Sequence, residues 1–304
     1  MATFSRFHKL ALMSLGALGG GLAYYHLNNN DDEKKLRVHN NAWPKKNCNC
    51  PTTKWNKNWD CRDPESLVKP PCPGNAQDEN RYNEEIEKVR STATRHLILI
   101  RHGQYNVSGE TDKERVLTEL GRRQAELTGE RLKNLDIKWD LLVRSTMTRA
   151  QETAELIAKH LPEDLLVKNC QLIEEGAPIQ PEPPVAHWQP ELKQFFQDSA
   201  RIEAGYRRYF HRAPPDQAKD TYTLLVCHAN VIRFFVCKAL QFPPEAWLRM
   251  SLNHGSITWI SILPSGNVVL RCMGETGHMP PQCVSARNIG RRKRRSKNKK
   301  TSTV

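Results

Sequence analysis

The sequence predicts an α/β domain built on a mostly parallel sheet with helices on both faces. Three observations predict it. Aliphatic runs of strand length, Leu97–Ile100 and Thr223–Cys227 among them, alternate with stretches of helical apolar spacing. Continuous apolar runs of this kind suit strands buried on both faces, as a parallel sheet requires. Both runs also end abruptly in histidine, Arg101-His102-Gly103 after the first and His228-Ala229-Asn230 after the second. Ligands of open α/β sheets bind outside the carboxyl ends of the strands, so the two histidines mark one candidate site.

The elements follow in order. Asn80 to Val89 reads as a short charged helix leading into the domain. Leu97–Ile100 is the first strand, and Gly103 is expected to let the chain turn sharply after it. Thr118 can cap a helix that runs to about Asn134. Trp139–Val143 is a strand. Ser145 stands where a cap belongs, ahead of a helix to about His160 that Pro162 terminates. Leu165–Ile173 is a third strand. Glu191–Tyr209 is a long amphipathic helix, read as part of an inserted cap region. Thr223–Cys227 is the strand before His228, and Val231–Leu240 the helix after it. Ile257–Ile262 and Val268–Met273 form a closing pair around Pro264-Ser265-Gly266-Asn267.

The flanks differ in character. Leu10 to Tyr25 is mostly apolar and uncharged, and cations but no acid precede it. A secretory signal, a mitochondrial presequence and a membrane anchor compete for this stretch. Tyr24-Tyr25-His26 is a poor cleavage site, so residues 1–27 are expected to anchor the chain. Residues 28–93 are polar and rich in Asn, Lys and Pro, and read as a linker. Trp55-Asn56-Lys57-Asn58-Trp59-Asp60 interrupts it; two tryptophans are unfavourable in water and are expected to dock on a surface. Residues 94–284 form the domain, and 285–304 a basic, disordered tail.

A hydrophobic content of 38% over 304 residues allows one sizeable core plus tails. The net charge of +13 could suggest a nucleic-acid ligand, but nine of the cations lie within residues 287–300 with no acid among them. The remainder is only mildly basic, and no nucleic-acid binding is expected. Cys170, Cys227, Cys237 and Cys272 fall in apolar stretches and read as small core residues. Cys48, Cys50, Cys61 and Cys72 lack the paired spacing of a zinc site, so no metal or other cofactor is expected.

The ordered set Arg101-His102-Gly103, Ser145-Thr146-Met147-Thr148-Arg149-Ala150 and Cys227-His228-Ala229-Asn230 resembles the histidine phosphatase superfamily, which includes the phosphoglycerate mutases. The resemblance runs from about Arg95 to Met279. Glu175–Ile179, Ala239–Glu245 and Gly255–Thr258 fit a mitochondrial serine/threonine-phosphatase branch of it. It implies a three-layer phosphoglycerate mutase-like fold and a metal-free phosphatase acting on phosphoserine and phosphothreonine. It also implies an outer mitochondrial membrane location and substrates among stress kinases of the apoptosis signal-regulating type. In that branch a W-x-x-N-W-D segment drives multimer assembly, which implies a homo-oligomer formed through Trp55 and Trp59. Asn56 and Lys57 depart from the Asp and Pro usual there.

Phosphomonoester hydrolysis needs a nucleophile, an acid for the departing oxygen, and positive charge around the equatorial oxygens. Arg101 and Arg149 offer planar forks of donors, and His228, if protonated, adds a third cation. His102 is the natural nucleophile, since a neutral imidazole nitrogen can attack phosphorus. The resemblance assigns these roles to the same residues. It also selects Glu175, directly before Gly176-Ala177-Pro178, as the acid, with Glu110 as the rival. Gln104 stands where sugar-phosphate mutases usually carry Glu, which argues against mutase chemistry.

Overall fold

The strands are β1 (Arg95–Arg101), β2 (Leu141–Ser145), β3 (Val167–Cys170), β4 (Thr221–Cys227), β5 (Ile257–Ile262) and β6 (Val268–Glu275). In the computed structural model, which describes residues 54–72, 74–185 and 189–286, they form one sheet in the order β3-β2-β4-β1-β5-β6. β3, β2, β4 and β1 pair in parallel; β5 runs antiparallel to both β1 and β6. The sheet is therefore mixed and mostly parallel. The longer helices among the described residues are α1 (Ala76–Val89), α2 (Glu119–Lys133), α3 (Thr148–Ala158), α4 (Leu192–Tyr209) and α5 (Ala229–Ala239).

Alternation along β1 explains the layering. Leu97 and Leu99 share one apolar cluster with Ile202 and Tyr206 of α4 and Val231 and Phe235 of α5. Ile98 and Ile100 share another with Leu132 of α2 and Ala154 and Ile157 of α3. Successive side chains of a strand point to opposite faces, so the sheet lies between two helical layers. All four β1 residues are fully buried, each contributing about 1.5–3 kcal/mol. Because α2 and α3 cover one face and α4 and α5 the other, a crevice opens at the carboxyl ends of the adjacent strands β1 and β4.

Several boundaries differ from the sequence expectation, each for a local reason. Helix α1 starts at Ala76, ahead of Asn80, because the Asn75 side chain accepts from the Gln77 N–H and caps it. β3 stops at Cys170, and Gln171–Ile173 forms a 3₁₀ turn. Thr118 caps α2 as expected, accepting from the Gly121 N–H at 3.1 Å. Ser145 does not cap α3: the helix begins at Thr148, and Ser145 Oγ bonds elsewhere. Gly103 does not take a left-handed turn. It is required because Gly121 packs directly against it, and a Cβ on Gly103 would overlap the Gly121 carbonyl.

Composition assigned the stretch up to residue 93 to a linker, but from Trp55 onward the chain belongs to the same compact unit as the domain. Trp59 Nε1 donates to the Gly266 carbonyl at 2.8 Å, and its ring packs 6.2 Å from that of Tyr206. Asp60 accepts from the Arg212 N–H at 2.8 Å and pairs with its guanidinium at 3.1 Å; the side chains are 0% and 2% exposed. Asp63 approaches the same guanidinium at 3.2 Å. Cys61 and Cys72 are exposed free thiols, while Cys170, Cys227 and Cys237 are buried. Among the described residues no helix is long and apolar enough to cross a membrane. The expected anchor, and the tail from residue 287, lie outside the described residues.

Removing one partner of a buried ion pair strands the other charge. Asp60→Ala is expected to destabilise the fold by about 3 kcal/mol, read from the urea midpoint of the full chain; a midpoint equal to wild type would show that the docked segment adds nothing to stability.

Candidate active site

The site stands where β1, β2 and β4 end. Arg101 closes β1 and His102 follows it; His228 follows β4; Arg149 sits in the first turn of α3, just after β2. All four are buried. Nitrogens of His102 and His228 and a carboxylate oxygen of Glu175 lie within 4.8 Å of one another. The five residues singled out in the sequence thus converge. Glu110, the rival acid, is exposed on the loop after β1, where its N–H donates to the Glu114 carboxylate.

Hydrogen bonding fixes the tautomer of His102. Its Nδ1 lies 2.8 Å from the Gly103 carbonyl, which can only accept, so Nδ1 carries the proton. The lone pair is left on Nε2, where Arg149 Nε donates at 3.4 Å. Burial, then the nearby His228, Arg149, Arg101 and His254, holds the imidazole's proton affinity well below its ordinary value. His102 is therefore a neutral base at physiological pH.

Each neighbour is held in turn. Arg101 donates from Nη1 to the Leu252 carbonyl at 2.5 Å and from Nη2 to His254 Nε2 at 3.0 Å. Arg149 lies over the Tyr105 ring at 4.8 Å, and the same ring meets His102 edge-on at 5.1 Å. Asp112 reaches Arg149 Nη1 at 3.4 Å and accepts from both the N–H and the hydroxyl of Thr148. It thereby caps α3 from a distant loop and supplies the anion that a helix start carrying Arg149 needs. His228 Nε2 sits 2.8 Å from Ser145 Oγ. Burial first, then Arg149 and Arg101, depress its proton affinity, so it is neutral rather than a standing third cation. A bound dianion would reverse that balance.

Glu175 is the counterpart. Burial raises its carboxyl above the ordinary range, while Arg149, Arg233, Arg101 and the Asn230 N–H pull the other way. That N–H meets Oε1 at 3.2 Å. A raised carboxyl suits a proton donor. His102, Glu175 and His228 also have the donor types of a metal site. Yet the arginines that oppose protonation of the imidazoles would equally oppose a dication, and would favour a phosphate dianion.

Sequence reasoning missed several of these residues. Ser145 reads in the sequence as a cap and as the head of the Ser145–Ala150 motif, with no sign of its contact with His228. His254 lies in Asn253-His254-Gly255 before β5, where Gly255, at φ +69, lets its N–H bond the Arg101 carbonyl at 3.0 Å. A histidine beside a glycine ahead of a strand was the available signal. Asp112 and Tyr105 act through tertiary contacts and leave no local pattern.

Comparison with known proteins agrees with this geometry. The family model "Histidine phosphatase superfamily (branch 1)" matches residues 97–273. The chain is 57% identical over 273 residues to "Serine/threonine-protein phosphatase Pgam5, mitochondrial" of Drosophila pseudoobscura pseudoobscura, covering 90% of this chain and 94% of that one. It is 52% identical over 271 residues to the protein of the same name in Drosophila melanogaster, covering 88% and 93%. A crystal structure of phosphoglycerate mutase from Plasmodium falciparum matches at 34% identity and TM-score 0.44, covering 62% of this chain and 96% of that one.

The buried imidazoles set a pH dependence. His102 and His228 bind protons less readily folded than unfolded, as do His96, His211 (about 4) and His278. Below about pH 6.5 the unfolded chain therefore holds more protons, and stability falls with pH by up to about 1.4 kcal/mol per pH unit per histidine. The urea midpoint is expected to drop between pH 7 and 5.5, with a shallower drop in His102→Gln. A flat wild-type midpoint over that range would contradict buried neutral imidazoles.

Proposed function

The chain belongs to the histidine phosphatase superfamily, and from that membership we propose that it is a mitochondrial protein phosphatase that clears phosphoserine and phosphothreonine through a phosphohistidine at His102. The observation that carries the reading is the His102 tautomer. Its Nδ1–H is committed to the Gly103 carbonyl, and the Nε2 lone pair faces the Arg149 guanidinium at 3.4 Å and lies beside Glu175 and His228.

In the first step Nε2 attacks phosphorus. The N–P bond forms as the bond to the serine or threonine oxygen breaks, and Glu175 passes its proton to that oxygen. In the second step water attacks phosphorus, the N–P bond breaks, and the Glu175 carboxylate takes the water's proton. Arg101 and Arg149 hold the equatorial oxygens throughout. His228 gains a proton when the dianion arrives and becomes a third cationic donor. No step calls for a metal ion.

Protein substrates are supported by the names of the close relatives, and a location in mitochondria likewise. Kinases of the apoptosis signal-regulating type remain the proposed targets. An anchor at residues 1–27 is supported by the uncharged run Leu10–Tyr25, and its placement in the outer membrane rests on the family resemblance alone. Assembly through the tryptophan segment is part of the same reading. Trp59 is docked on its own domain, while Trp55 keeps part of its ring at the surface, where a second copy could cover it.

The full chain in excess EDTA should hydrolyse a phosphothreonine peptide, and His102→Ala should lose at least about 10³-fold in rate. Turnover of 3-phosphoglycerate alone would move the function to metabolites, and an active His102→Ala would sink the phosphohistidine. For assembly, light scattering should report a smaller particle when Trp55 and Trp59 both become Ala. An unchanged mass would remove the segment from the interface.

A further inference from the structure

Residues 174–177, which carry Glu175, have no helix or strand of their own to fix them. They are gripped instead from two helices. On α4, Arg201 Nη1 donates to the carbonyls of Glu174 at 2.8 Å and Gln171 at 3.2 Å, and Nη2 donates to that of Glu175 at 3.1 Å. Nη2 also meets Asp198 Oδ1 at 2.9 Å, and Asp198 Oδ2 accepts from the Ala177 N–H at 2.9 Å. From α5, Asn230 Nδ2 donates to the Gly176 carbonyl at 2.9 Å. The fit is close: a Cβ at Gly176 would stand 2.5 Å from the Asp198 carboxyl carbon and 2.7 Å from Arg201 Nη2.

An Arg–Asp pair one helical turn apart ordinarily does little on an exposed face. This one turns inward, its side chains 21% and 16% exposed, and engages four backbone groups of the acid-bearing turn and its approach. We propose that Asp198 and Arg201 are positioning residues for the proton donor, a clamp that holds the Glu175 carboxyl at the leaving oxygen. The proposal rests on the assignment of Glu175 as the acid. A lysine can replace Arg201 only in part, because a single ammonium lacks the planar fork that spans several carbonyls and a carboxylate. Small displacements matter here, since a misplacement of about 1 Å can cost about 10²-fold in rate.

A positioning role has a signature that loss of general structure lacks. An aryl phosphate expels a good leaving group and needs little protonation, whereas a threonine oxygen needs the acid. The experiment is the single-turnover rate of phospho-His102 formation in the full-length protein, with p-nitrophenyl phosphate beside a phosphothreonine peptide. Glu175→Gln should lose about 10²-fold or more on the peptide and far less on the aryl ester. Arg201→Gln should repeat that pattern at about tenfold on the peptide and within about twofold on the aryl ester. Arg201→Lys and Asp198→Asn should show the same selectivity to a smaller degree, which keeps the test available if Arg201→Gln folds poorly. Equal loss on both substrates, or no loss, in the clamp variants would overturn the positioning role. If Glu175→Gln itself failed to discriminate, the acid assignment would fall first and the clamp with it.

Discussion

Two buried guanidinium groups set against a buried imidazole govern this molecule. Arg149 meets His102 Nε2 at 3.4 Å, and Arg101 is among the charges that depress its proton affinity. In water such an imidazole, with an ordinary pKa of about 6.5, would be partly protonated at neutral pH and to that extent lost as a nucleophile. Here burial first, and then the neighbouring cations, hold it neutral, and in the proposed mechanism the same cations stabilise the phosphate that it attacks. One electrostatic arrangement thus keeps the nucleophile ready and prepares the charge for its substrate.

Sheet register delivers that arrangement. β1 and β4 pair in parallel from Arg95 with Thr221 to Arg101 with Cys227, so His102 and His228 leave adjacent strands at the same level. β2 pairs with β4 one strand further, which brings Ser145 beside His228 and starts α3 with Arg149 over the crevice. A one-residue slip would turn the side chains to opposite faces and disperse the site. The apolar layers on either face, each reaching a fully buried β1, hold the register against the strain of gathering like charges.

Much of this was legible in the chain. The aliphatic run into Arg101-His102-Gly103 and its partner into His228 disclosed both strand and site, because burial on two faces and ligand placement at strand ends leave local marks. What escaped was tertiary. Thr148 is capped by Asp112, 36 residues earlier, and Ser145 exchanges a cap for a contact with a histidine 83 residues later. Trp59 looked like an isolated island in a linker because its hydrogen-bond partner, the Gly266 carbonyl, lies 207 residues away. The end of β3 was misplaced because an apolar pattern does not tell a strand from the short 3₁₀ turn that continues it.

The protonation of His228, which the sequence leaves conditional, follows from the same electrostatics. A sequence motif shows the residue but not the potential around it. Burial and the two arginines make a third cation unfavourable, so His228 stays neutral and leans on Ser145. A dianionic ester brings negative charge into that space and makes protonation favourable. The proton that His228 takes up is then coupled to binding, and the site gains its full positive charge only when a phosphoryl group is present to receive it. The same dianion shifts Glu175 in the same sense, raising its proton affinity, which in the proposed mechanism favours the protonated carboxyl that faces the leaving oxygen. Substrate charge therefore sets both protonation states that the first step requires.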